Sequence, residues 1–200
     1  MIQWVQQKQR YLTGVGLLLA VVAGGIWFTV SARERRERFA AGQLNQARGA
    51  VDAGNFQLAA SDLSRLVTDY GATRAGQEGA ILLARVQLQM GQPEVAVAQL
   101  RTLLSQNPAE QFVAQGQGLL GSALEQMGQF GAAADAFVQA ANASRYELIK
   151  AELLLDAGRA ATLAGDTERA ASLYQRVIDE ITEDAGSVSA AQVRLSELRR

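Results

Sequence analysis

The 200-residue chain contains neither cysteine nor histidine. Their joint absence removes disulfides, thiol nucleophiles, Cys/His zinc sites and imidazole acid–base chemistry. It leaves the redox compartment open, because a cysteine-free chain suits reducing and oxidising surroundings alike. Lysine is almost missing too, with Lys8 and Lys150 set against 17 arginines, a bias that reads as genome composition before any phosphate-binding meaning. Strand-like alternation of apolar and polar residues is absent throughout. Carboxylate pairs are plentiful, but none stands out from the ordinary charged face of a helix. No enzymatic activity, cofactor or metal is therefore expected.

The net charge of −1 hides an asymmetry. Before Phe39 lie six of the 19 basic residues and two of the 20 acidic ones, so the remainder carries 13 basic and 18 acidic residues, a balance of −5. An acidic body without a basic stripe is a poor nucleic-acid binder, since that affinity rests on neutralising phosphates. With 48% hydrophobic residues the chain is rich enough in apolar side chains to build a core.

What is present is a repeat. Gly54, Gly91, Gly128 and Gly165 stand 37 residues apart, each followed five residues later by an alanine: Ala59, Ala96, Ala133 and Ala170. Seven residues before each glycine is a small residue (Ala47, Ala84, Gly121, Gly158), and nine after it a large one (Leu63, Leu100, Phe137, Tyr174). Two antiparallel helices approach closely only where small side chains meet at their crossing. The glycine supplies a left-handed C-cap to the first helix, and the large residue is expected to fill the space between one hairpin and the next. The pattern resembles the tetratricopeptide repeat (TPR). Only Pro108 occupies that repeat's proline position, and the period of 37 where 34 is usual predicts inter-repeat connections about three residues longer.

The fold class is accordingly all-α: a transmembrane helix, then a TPR-like right-handed solenoid of four helical hairpins and a capping helix. Hairpins are predicted at 39–54/56–70, 74–91/93–106, 110–128/130–143 and 146–165/167–183, with a last helix at 187–200 as the cap. Residues 1–10 form a tail, 11–32 a membrane span, 33–38 a charged juncture and 39–200 the solenoid.

The span rests on the run from Tyr11 to Ala32, which holds no charged residue and is long enough to cross a hydrocarbon core of about 30 Å. Trp4 and Tyr11 at one end and Trp27 and Phe28 at the other suit interfacial anchors. A cleaved signal peptide is the competing reading, with Val30, Ser31 and Ala32 as its cleavage site. Gly16, Ala20 and Gly24 make a small-xxx-small seam suited to packing against a membrane partner or a second copy of the chain, so a homo-oligomer is one option. Beyond the run, Arg33 with Glu37 and Glu34 with Arg38 have i,i+4 spacing, which would carry the helix unbroken into the first repeat. The positive-inside count sets Lys8 and Arg10 against four arginines after the span, which places the repeats in the cytoplasm.

In repeats of this kind ligands lie in a concave groove lined by first helices. The equivalent apolar positions are Leu44, Ile81 and Leu155, with Leu88 and Leu163 extending the surface toward a hydrophobic peptide. Burial between hairpins is the alternative. Arg48, Arg85 and Arg159 recur one residue after the small column, fit to hold carboxylates or to form a solvated face. Gly116, Gly118 and Gly121 spell GxGxxG but follow no strand, as a dinucleotide turn requires. Asp179, Glu180, Glu183 and Asp184 lack the glycine-turn spacing of a calcium loop and read as a solvated helix end.

A short tail, one span, a charged juncture and a small TPR domain together resemble YfgM-like proteins, ancillary subunits of the bacterial SecYEG translocon. The likeness is strongest over ILLARVQLQMGQPEVAVAQL (Ile81 to Leu100) and GLLGSALEQMGQFGAAADAF (Gly118 to Phe137). It implies a plasma-membrane protein whose TPR domain lies outside the cytoplasm, against the arginine count. Its implied partners are the translocon, exported polypeptides or envelope chaperones. A self-associating scaffold and a cell-wall or outer-membrane assembly adaptor are the other readings.

Overall fold

The computed structural model describes residues 2–198, without the side chains of residues 2–21, 23, 24 and 26. The described residues form nine helices and no strand. In chain order these are α1 (Ile2–Asp52), α2 (Phe56–Tyr70), α3 (Arg74–Gln89), α4 (Pro93–Ser105) and α5 (Glu110–Gln126), followed by α6 (Phe130–Ala143), α7 (Glu147–Leu163), α8 (Thr167–Glu180) and α9 (Ala185–Leu198). Each helix packs on its successor, so the C-terminal part of α1 with α2, then α3/α4, α5/α6 and α7/α8, are four hairpins stacked into a solenoid, with α9 covering the end.

The second helices show why the stack is cohesive. In α2 the buried residues are Ala59, Asp62, Leu63 and Leu66, and in α8 Ala170, Leu173, Tyr174 and Val177, an i, i+3, i+4, i+7 stripe that leaves the remaining faces to solvent. Two core clusters result, one over α1 to α3 and one from α3 to α9, and α3 contributes to both.

All four repeat glycines hold positive φ, from +70° to +79°. At Gly54 the amide donates to Val51 O at 2.9 Å and the next amide, Asn55 N, to Ala50 O at 2.9 Å; the same pair of bonds recurs at Gly91, Gly128 and Gly165. This double closure satisfies carbonyls that the helix end would leave bare, and a side chain there would be strained by the left-handed backbone. Two of the second helices, α2 and α8, then start on side-chain caps at Asn55 and Asp166, which accept from Leu58 N and Arg169 N.

Three expectations need correction. The residues beyond 34 per repeat do not form long linkers, because the connections between hairpins span only 71–73, 106–109 and 144–146, and the first helices α3, α5 and α7 run 16 or 17 residues. The large column packs inside its own hairpin: Phe137 lies over Gly121, and Tyr174 over Gly158. Glu37 does not turn to Arg33; its two oxygens accept from the amides of Arg74 (3.0 Å) and Ala75 (2.9 Å), capping α3 of the next hairpin.

Among the described side chains of α1 the first buried one is Ala40, and before it Trp27 (68% exposed) and Phe28 (69%) stand free of protein cover. Among the described residues no helix is long and apolar enough to cross a membrane. Most side chains of the 11–32 run, Trp4, and the Gly16, Ala20, Gly24 seam lie outside the described side chains.

Candidate protein-binding groove

The first helices keep regular order for three hairpins and then diverge. α1, α3 and α5 pack side by side, whereas α7 leans on α6, α8 and α9 rather than on α5. Where α5 and α7 come near, a β-carbon on Gly118 would stand 3.3 Å from Leu153 Cδ2. The divergence opens a concave cavity of about 800 Å³ between α3, α5, α7 and the connections before α5 and α7. Its apolar wall is made by Ala114, Gly118 and Leu119 of α5 with Ile149 and Leu153 of α7, and Tyr146, 72% exposed, stands at its edge. That is room for several residues of a peptide, with apolar surface to bury and backbone groups of the peptide still open to water.

Its charges are arranged unevenly. Glu78 lines the cavity but is taken by the guanidinium of Arg48, from the preceding hairpin. Glu110 is held in a two-pronged bond by Arg145, whose Nε donates to Oε1 at 2.9 Å, and the pairing raises the arginine further above its ordinary pKa. Arg74 and Arg85 line the same cavity and have no carboxylate partner among the described residues.

Of the residues expected to form the groove, Arg85 is the one that lines this cavity. Leu44 and Ile81 are buried core, a correction that follows from the close packing of α1, α3 and α5; Ile81 Cδ1 would lie 3.6 Å from a β-carbon on Gly116. Leu88 and Leu155 are half-buried against the core, and Leu163 is exposed away from the cavity. Arg48 and Arg159 serve as ties: the second donates to Glu125 and, at 2.9 Å, to Asp156, which together push its pKa up.

Reasoning from the repeat columns misses Tyr146, Ile149 and Leu153. Their i, i+3, i+7 spacing, begun at the residue before α7, makes a second apolar stripe beside the stripe Ala151, Leu154, Ala157, Gly158 that faces the core. A second apolar series on a helix already supplied with a core-facing one is the signal that could have revealed them.

The GxGxxG glycines lie inside α5 and serve three packing directions: Gly116 against Leu104 and Ile81, Gly118 against Leu153, Gly121 against Phe137. The acidic cluster is engaged by protein groups. Asp179 accepts from Gln175 at 2.9 Å, Glu180 pairs with Arg176 and Lys150, and Asp184 accepts from the amides of Gly186 and Ser187.

Residues 29–156 match the family model described as tetratricopeptide repeat-like domain, and residues 153–189 match one for a single tetratricopeptide repeat. No curated protein matches the chain. Solved structures share its fold at low identity. The nearly identical TPR-like repeats of a Podosopora anserina kinesin light chain candidate align with a TM-score of 0.62 at 20% identity, over 82% of this chain and 86% of that one. MamA from Desulfovibrio magneticus RS-1, residues 41 to its end, gives 0.57 at 17% identity over 70% and 74%. PilF of Pseudomonas aeruginosa gives 0.60 at 13% identity over 82% and 68%.

Proposed function

The chain belongs to the tetratricopeptide repeat-like domain family, a protein–protein interaction fold, and from that premise we propose that it is a membrane-anchored accessory subunit that holds polypeptides in the α3/α5/α7 groove beside a protein translocon. The observation that carries the groove is the opening between α5 and α7, which leaves Tyr146 and Ile149 exposed on the apolar wall of a concave cavity. The anchor is supported by the uncharged run 11–32 and by the uncovered Trp27 and Phe28 on the same helix. The likeness of the whole layout to YfgM-like proteins supports the translocon setting and an extracytoplasmic domain.

Because α1 runs from Ile2 to Asp52 without a break, and Ala40 is already core, only about 12 Å of helix separates Ala32 from the solenoid. A tether this short keeps the groove at the membrane surface and raises its effective concentration for whatever emerges there.

The test pairs topology with capture. Reporters active on only one side of the membrane, fused after Arg200, should report outside from an uncleaved, membrane-bound chain. A photocrosslinker at Ile149 should then trap polypeptides in transit, and one at Arg101 on the outer helix α4 should not. Activity inside would replace this reading with a cytoplasm-facing scaffold, and equal crosslinking from both positions would remove the groove from it.

A further inference from the structure

Repeat symmetry shows which charge in the groove has been left open. Arg48 of the first hairpin pairs with Glu78 of the second, 30 residues on. One repeat later the same two positions hold Arg85 and Gln115. Both line the cavity, and the amide of Gln115 stands where repetition would place a carboxylate, so the guanidinium of Arg85 keeps no internal counter-charge. Arg74 lies on the same face of α3, eleven residues earlier, a separation of three turns plus about 20°. Its backbone amide is bound by Glu37, and its guanidinium is without a carboxylate.

We propose that the groove selects an extended segment of a partner protein that carries two acidic side chains about five residues apart, with large apolar residues between them. Three considerations converge on this ligand. The cavity is lined by three arginines and two glutamates, with both glutamates already paired, so its free charge is cationic although the solenoid as a whole is acidic. The backbone positions of the two arginines are about 16 Å apart along α3, a distance that an extended chain covers in about five residues, and a spacing of four or six keeps both acidic side chains on one face. Roots so far apart favour a separate Asp or Glu side chain for each guanidinium over a single terminal carboxylate. The same cavity offers an apolar wall of Ile149, Leu153 and Leu119, which calls for large hydrophobic side chains in the ligand.

The inference rests on the groove reading, and its test separates the two. A displayed library of random ten-residue peptides is panned over the full chain held in detergent micelles, and enriched peptides are measured against Arg85→Gln, Arg85→Glu, Arg74→Gln and Ile149→Asp. Enrichment of paired acidic residues near spacing five, with affinity lowered about tenfold or more by Arg85→Gln and a preference for lysine in its place in Arg85→Glu, is the expected result. Peptides that lose binding with Ile149→Asp but bind Arg85→Gln unchanged, or whose Glu-to-Gln versions bind equally, would overturn the acidic specificity and leave the groove standing. Binding indifferent to every variant, or no enrichment at all, would overturn both. Arg85 and Arg74 are exposed surface residues, so unchanged far-ultraviolet circular dichroism is expected for their variants.

Discussion

The ring of Phe137 occupies the space that a β-carbon on Gly121 would enter, with Cδ1 and Cε1 2.7 Å from that position. Tyr174 stands in the same relation to Gly158, its Cε1 at 2.5 Å. In the first two hairpins the corresponding residues are Ala47 with Leu63 and Ala84 with Leu100, all fully buried. The two columns therefore vary together: where the second helix sends in an aromatic ring, the first helix gives up its last side-chain carbon.

Gly121→Ala should accordingly destabilise the chain by about 1–3 kcal/mol, since an added methyl in a filled site forces backbone or rotamer shifts. Phe137→Leu alone should also cost stability through the space it leaves. The double variant Gly121→Ala/Phe137→Leu recreates the pairing of the second hairpin and should recover part of the loss. A urea-denaturation double-mutant cycle measures this, and strictly additive effects would contradict the coupling.

These columns are legible in the sequence because the helical hairpin repeats its constraints every 37 residues. A glycine forced to φ near +70° and a crossing that admits at most a methyl group leave the same mark four times. The groove leaves no such mark, because it arises where the repetition fails. Leu44 and Ile81 occupy the positions that open surface would use in a fully splayed stack, yet α1, α3 and α5 close over them. Tyr146, Ile149 and Leu153 gain their role from the standing-off of α7, a property of packing between repeats that no single repeat encodes. The i,i+4 spacing of Glu37 and Arg33 is visible in sequence, whereas a helix N-terminus 37 residues away, which Glu37 serves in the fold, is not.

Asp62 presents a different kind of exception. It is a buried carboxylate in the first hairpin, with Oδ1 accepting from Arg65 at 2.5 Å and Oδ2 meeting no protein partner. At the equivalent positions of the other repeats stand Gln99, Ala136 and Leu173. Asp62→Ala is expected to be neutral or stabilising by up to about 1 kcal/mol, because a half-satisfied buried charge is a weak contributor. Arg65→Ala, which strips the remaining partner from that charge, should destabilise by about 1–3 kcal/mol. Thermal midpoints at pH 7 check the opposite signs, and equal losses from both variants would refute them.

The C-terminal cap carries an acid dependence. Glu180 is drawn down to about 2 from its ordinary 4.5, first by the hydrogen bond from Arg176 and then by Lys150. Glu147 is lowered chiefly by the amides of Thr182 and Glu183, and Asp184 chiefly by the hydroxyl and amide of Ser187 at the start of α9. A carboxyl that is harder to protonate when folded stabilises fully above its unfolded pKa and loses that contribution as pH falls through its folded one. The α7–α8 tie at Glu180 should therefore weaken from about pH 4.5 down to about 2, and the start of α9, held through Glu147 and Asp184, should loosen as the pH falls below the ordinary carboxylate range, ahead of α5. Amide resonances of Val188 and Leu195 followed through an acid titration should move before those of α5. Glu147→Gln should flatten the dependence, and simultaneous loss of all helices would rule out a separately acid-labile cap.

Glu37 links the juncture to the groove. By accepting from Arg74 N and Ala75 N it closes the start of α3, the helix that also presents Arg74 and Arg85 to the cavity. The capping carboxylate is attached to α1 just before Ala40, so this side chain adds a polar link to the packing between α1 and the groove's first wall. Glu37→Ala removes both acceptors and should cost about 1–2 kcal/mol, the usual loss of a helix N-cap strengthened here by a full negative charge at the helix start. Glu37→Gln leaves one carbonyl oxygen and should lose less. Amide exchange should speed up at Arg74 and Ala75, while Gly76, whose amide donates to Thr73 Oγ1 at 3.0 Å, and the turn at Gly128 keep their rates. If instead protection at Arg74 and Ala75 is unaltered in Glu37→Ala, the helix start is held by packing and the Thr73 cap, and a motion of α1 would not reach the groove through this contact.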